Sequence, residues 1–163
     1  MLAKLHKLRP KARDTIADLL RPSSCIATLT HTDFWCNNLL FRQGDDQSID
    51  CSIVDWQMVT YSRPTNDLAL LLVTSVSGDI RRGHTGDVLD AYWNALTAHC
   101  RTFGLDVEQQ LNYTRHDLQT EYQESLLLAV LLGIGSVDLA IGHPDTEQRL
   151  CQVLLDLSND QVF

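Results

Sequence analysis

Three oxygen-bearing side chains stand out by type and spacing. Asp33 and Asn38 lie within His31-Thr-Asp-Phe-Trp-Cys-Asn-Asn38, and Asp55 ends the apolar stretch Ile53-Val-Asp55. Such a set suits phosphoryl transfer. One carboxylate beside an attacking hydroxyl can orient it and accept its proton. A carboxylate and a carboxamide can hold Mg2+ against phosphates, because hard cations prefer oxygen ligands. Protein kinases use a loop of the form H-x-D-x-x-x-x-N, followed by a D-F-G whose Asp binds metal. His31, Asp33 and Asn38 repeat the first spacing, and Asp55-Trp-Gln57 falls where the second would. An H-x-D triplet alone arises by chance, so the specificity lies in the combination.

The elements that must position these residues are short. Cys25 to Thr30 reads as a strand, residues 31 to 38 as a loop, and Leu39-Leu-Phe41 as a second strand. Gln43 to Ser48 is rich in turn formers, and Cys51 to Asp55 returns as a strand. The 16 residues between Asn38 and Asp55 suit a hairpin that brings both segments together. Helices are expected over residues 11 to 20, from Pro64-Thr-Asn-Asp67 through Val76, and over Gly86 to Thr102, Tyr113 to Ala140 and Thr146 to Leu157. Asn66 or Asp67 would sit near the cap of the second of these, and Gly104 would stop the third. The fold class is therefore α+β and mainly helical. The single domain, 1-163, divides into a leading helix and linker (1-24), a site-bearing β element (25-60) and a helical body (61-163).

Composition bounds the function. The chain has 163 residues and a net charge of −8, without the basic footprint that nucleic-acid binding leaves. The apolar run from Leu126 to Ile141 contains Ser136 and Asp138 and is shorter than the ~20 residues of a membrane span. It reads as a buried helix, so neither nucleic acid nor membrane is an expected partner. The five cysteines form no C-x-x-C pair. They are expected to be reduced, mostly buried thiols of a cytoplasmic protein. His84, His99, His116 and His143 show no ligand spacing, and Asp45 and Asp46 read as a solvated turn.

The stretches Leu29-THTDFWCNNLLF41 and Ile53-VDWQMVTYSRPTNDLALLL72 resemble the two signature segments of the ecdysteroid kinase-like, or CHK kinase-like, family. That family groups with choline and aminoglycoside kinases in the protein-kinase-like superfamily. The resemblance is close over residues 25 to 76. It implies the C-terminal lobe of a kinase-like fold, with ATP and Mg2+ as cofactors and a small-molecule hydroxyl as acceptor, such as an ecdysteroid or a xenobiotic-derived alcohol. It makes Asp33 the catalytic carboxylate, Asn38 and Asp55 the Mg2+ ligands, and His31 a loop-organising residue. Asp67 becomes the brace of the catalytic loop. Thr32 replaces the family's usual Gly, which matters only if φ there is positive. Gln57 stands where D-F-G has its Gly, as is common in the family.

A working kinase also grips ATP from above with a glycine-rich loop, a strand lysine and a glutamate. Only 24 residues precede the first expected strand, whereas an upper lobe takes about a hundred, within the usual domain size. Gly133-Ile-Gly135-Ser-Val-Asp138 lacks a third glycine and follows a helix. The N-lobe is therefore expected to be absent from this sequence, and apolar surface to be exposed on the inter-lobe face. Two other classes compete with a kinase. One is a non-catalytic kinase-fold fragment or binding module, which predicts no turnover. The other is a metal-dependent hydrolase built from His31, Asp33 and Asp55, which predicts activity without ATP.

Overall fold

The computed structural model describes residues 1–22, 26–135, 142 and 144–163. It is mainly helical, with a small β part placed between two helical segments. The leading segment holds α1 (Leu2–Leu8) and α2 (Ala12–Leu19), joined by a 3-10 turn at Arg9–Lys11. Pro10 lies in that turn and carries no N–H, so the break costs no helix donor.

Among the described residues four strands follow: β1 (Thr28–Thr30), β2 (Leu39–Gln43), β3 (Ile49–Ile53) and β4 (Thr60–Ser62). They form two separate antiparallel pairs, β1 with β4 and β2 with β3. The β2–β3 hairpin was expected, and its register places Leu39 opposite Ile53 and Phe41 opposite Cys51. β4 was not expected, because three residues carry no readable alternation. It closes on β1 with Thr30 opposite Thr60, and so brings the end of the second motif back beside the first. The β1 strand is shorter than the expected Cys25–Thr30 segment, and Cys25 itself lies outside the described residues.

The body holds α3 (Thr65–Thr74), α4 (Gly78–Thr102), α5 (Val107–Leu111), α6 (Arg115–Gly135) and α7 (Pro144–Asn159). Helix α4 begins eight residues earlier than the expected Gly86 and ends as expected, with Gly104 at φ +73. There the Leu105 amide donates back to Cys100 O at 3.0 Å, a helix-ending loop that glycine makes without strain. The expected residues 136 to 140 of the next helix, the remainder of the Gly133–Asp138 stretch and His143 lie outside the described residues.

The core forms where α3 packs on α6. Ala69, Leu70, Leu72 and Val73 meet Leu118, Tyr122, Leu126, Ala129 and Val130, and Leu89, Val107 and Leu157 close the edges. The apolar run from Leu126 is a buried helix as far as it is described. Among the described residues no helix is long and apolar enough to cross a membrane.

Two expectations fail here. Cys36, Cys51 and Cys151 are exposed and Cys100 is half-buried, although all are free thiols. Cys51 is exposed because the hairpin that carries it is covered on neither face. The cap of α3 is Pro64, with no side-chain cap bond. Asn66 and Asp67 lie inside the helix and spend their side chains on tertiary contacts.

Candidate active site

The segment from His31 to Asn38 is held from three directions. His31 is 1% exposed. Its Nε2 donates to the Val54 carbonyl at 2.8 Å and its Nδ1 accepts the Asp33 amide at 3.3 Å. The two bonds fix the ring proton on Nε2 and tie the loop to the residue preceding Asp55. The Trp56 ring leans on the imidazole, with centroids 4.9 Å apart. Trp56 is nonetheless half exposed, while Trp35 is half-buried, its indole N–H enclosed and without a hydrogen-bond partner.

Helix α3 supplies the second hold. One oxygen of Asp67 accepts the His31 amide at 2.7 Å and the other accepts the Thr32 amide at 2.9 Å. Burial pushes the Asp67 carboxyl above its usual value, and the two amides and His31 oppose that rise. Between these bonds Thr32 adopts φ +66. A β-branched residue in the left-handed region is strained, so the chain pays for this turn with contacts around it.

Asn38 supplies the third hold. Its Nδ2 donates to the Asp33 carbonyl at 2.8 Å and to Asp33 Oδ2 at 3.1 Å. Both acceptors are oxygens, which settles the orientation of the amide. The nitrogen therefore faces Asp33, and the amide oxygen lies outside these two bonds. Asn38 O also accepts the Val54 amide at 3.0 Å. The hairpin thus places Asn38 next to the strand end that carries Asp55, as the 16-residue spacing implied. Asp55 has φ 62 and is exposed, ahead of a 3-10 turn at Trp56–Met58. Asn37 stays on the loop surface, where its Oδ1 accepts the Cys36 thiol at 3.5 Å.

The arrangement offers a carboxylate whose backbone is fixed on both sides, plus two oxygen donors on adjoining chain segments. Among the described residues no three His, Cys, Asp or Glu side chains gather as a metal cluster. A pair of protein oxygens suits Mg2+, which keeps several waters and binds through one or two side chains plus phosphate oxygens. It does not suit Zn2+, which takes three or four protein ligands.

Sequence reasoning missed Ser62 and Ser125 and read Asn66 only as a residue near a helix cap; all three are buried polar residues behind the loop. Asn66 Nδ2 donates to Leu19 O at 3.1 Å and to Ser62 Oγ at 3.2 Å, while Ser125 Oγ donates to Asn66 Oδ1 at 2.7 Å. Only an asparagine inside an otherwise apolar helix hinted at them.

No curated protein and no solved structure matches this chain. A sequence model of the ecdysteroid kinase-like family does match, over residues 2–105 and hence well over half of the chain. Both motif segments and the helix that braces them lie inside that span, and the chain belongs to the ecdysteroid kinase-like family.

Proposed function

We propose that this chain carries the catalytic loop and metal-binding hairpin of an ATP- and Mg2+-dependent kinase that phosphorylates a hydroxyl group of a small molecule. The single observation that carries this reading is the double hold of Asp67 on the amides of His31 and Thr32. It fixes the backbone on which Asp33 is displayed. Family membership supports the phosphotransferase lineage.

In this reading Asp33 is the catalytic carboxylate. Asn38 occupies one of its oxygens, and the other orients the acceptor hydroxyl and takes its proton as the oxygen attacks. Asn38 Oδ1 and Asp55 would hold Mg2+, whose charge would neutralise the phosphates of ATP. His31 and Asp67 organise the loop. An ecdysteroid or a xenobiotic-derived alcohol is the acceptor class the family suggests. The chain is a kinase C-lobe in this reading, divided at residues 24 and 60 as its composition suggests.

An upper element must hold the nucleotide, and a surface is available for it. Along the hairpin, Leu39, Phe41, Gln43, Ile49, Cys51 and Ile53 share one mostly apolar face, while Leu40, Arg42, Asp50 and Ser52 share the other. Phe41 is 65% exposed and Ile49 72%. The apolar face of an amphipathic hairpin turned to solvent is a surface that expects a cover. The same observation supports the second reading, a binding module without turnover. Hydrolysis through His31 is disfavoured, because both ring nitrogens are already engaged.

The test is transfer of the γ-phosphate of ATP to small hydroxyl compounds by the complete protein and by its Asp33→Asn variant. Loss of transfer with an unchanged circular dichroism spectrum supports the assignment. Retained turnover in Asp33→Asn overturns it.

A further inference from the structure

We propose that Thr60 is a positioning residue for the catalytic loop, holding Thr32 in the left-handed conformation that sets the direction of Asp33. The proposal rests on the kinase reading for its functional consequence, but its structural basis stands apart from it.

Thr32 lies between two residues that the site needs in place. On one side His31 is fixed by its ring and its amide. On the other, Asp33 must point at the reacting hydroxyl. A φ of +66 at Thr32 makes the turn between them. Glycine adopts that conformation freely, whereas a β-branched side chain resists it and persists only where its surroundings over-determine it. Asp67 constrains the amide side of Thr32 alone. The side chain needs its own anchor.

Thr60 is that anchor. The Thr32 and Thr60 hydroxyls lie 2.8 Å apart, and the Thr30 hydroxyl closes a triangle at 3.0 Å from Thr60 and 3.3 Å from Thr32. Thr30 then meets the Ser62 hydroxyl at 2.8 Å. From Ser62 the chain of hydrogen bonds continues through Asn66 and Ser125 to Thr65. Ser62, Thr65, Asn66 and Ser125 are each at most 1% exposed. Thr60 thus transmits the rigidity of the α3–α6 core to a strained, half-buried residue. It also explains the short β4 strand, whose pairing with β1 places Thr60 directly opposite Thr30.

The test is native-state amide exchange by NMR on four chains: wild type, Thr60→Val, Thr60→Ser, and Thr60→Val in a Thr32→Gly background. Valine keeps the shape and removes the hydroxyl. The Thr32 amide should exchange about fivefold faster in Thr60→Val, the factor expected of one lost hydrogen bond. Core amides such as Leu70 and Leu128 should be unchanged, and Thr60→Ser should match wild type. In the Thr32→Gly background the Thr60→Val change should be silent, because glycine has neither strain nor side chain to hold.

Three results would each overturn the proposal. They are unchanged Thr32 exchange in Thr60→Val, equal acceleration at Thr32 and in the core, or an effect that survives in the glycine background. In the complete protein, Thr60→Val should lower kcat with KM for ATP unchanged. A wild type without phosphate transfer would contradict the kinase reading and leave the exchange result to decide the positioning claim separately.

Discussion

At the scale of single residues, the site depends on groups whose geometry is set by few contacts. Thr32 gives the sharpest ordering. Thr32→Gly relieves backbone strain worth about 1–3 kcal/mol but loses a hydroxyl bond worth about 1 kcal/mol and gains chain entropy in the unfolded state. These changes nearly cancel, so its stability should lie within about 1 kcal/mol of wild type. Thr32→Ala keeps the strain and loses the bond, so it should be the less stable of the two. Urea unfolding of both variants checks the order. Asp33, Asn38 and Asp55 were singled out by residue type and spacing, and the fold brings Asn38 into hydrogen-bond contact with Asp33. The left-handed backbone at Thr32 was legible only as a condition, since no spacing reports φ. The hydroxyls of Thr30, Thr60 and Ser62 were not legible at all, because strand threonines are ordinary and their meeting depends on a pairing across 30 residues.

At the scale of elements, helix α3 is tied to the loop by two backbone amides donating to one carboxylate. Asp67→Ala leaves two backbone amides without an acceptor. Hydrogen bonds to a charged group contribute about 1.5–3 kcal/mol, so a loss of about 2 kcal/mol in urea unfolding is expected. Asp67→Asn retains one acceptor oxygen and should lose less. The sequence announced this helix and its start near Pro64, but not which residue caps it. Asn66 and Asp67 have the side chains of cap residues, and their actual partners lie on β4, α2, α6 and the loop, where local pattern cannot see them. The hairpin was legible from its turn residues and flanking apolar runs. Helix α5 escaped notice because five residues are too few to show a period. The buried cysteines were misjudged because average burial says nothing of a hairpin whose apolar face is uncovered.

At the scale of the whole molecule, two features set how the chain behaves. The first is the joint between α4 and α7. Arg81 is 3% exposed, and Asp156 lies 3.6 Å from its Nη2 while accepting from Arg82 at 2.9 Å. Burial pulls the Asp156 carboxyl upward, but the hydrogen bonds from Gln152 and Arg82 and the charges of both arginines hold it below the usual carboxylate value. The folded state therefore releases this proton more readily than the unfolded chain. The resulting stability is present above the ordinary Asp range near pH 4 and is lost as pH falls through the lower folded value. Asp156→Asn should flatten that acid limb, and Asp156→Ala should cost about 3 kcal/mol by leaving Arg81 buried without its counter-charge. Thermal melts between pH 2 and pH 7, about the span over which an Asp titrates, check both. The second feature is the uncovered apolar face of the hairpin. Sedimentation should show concentration-dependent association of the isolated 163-residue chain. A Phe41→Lys/Ile49→Lys double variant should reduce it.

In the proposed kinase reading, Asn38 and Asp55 form the metal side of a phosphotransfer site beside Asp33. Paramagnetic Mn2+ with ATP, followed by NMR of this chain, tests it without depending on turnover. Mn2+ stands in for Mg2+ as a hard, oxygen-seeking cation. Broadening that begins at Asn38 and Asp55, spreads to Asp33 and disappears in Asp55→Ala is the predicted result. Broadening confined to the exposed carboxylates of the turn, Asp45 and Asp46, with Asn38 and Asp55 untouched, would contradict it.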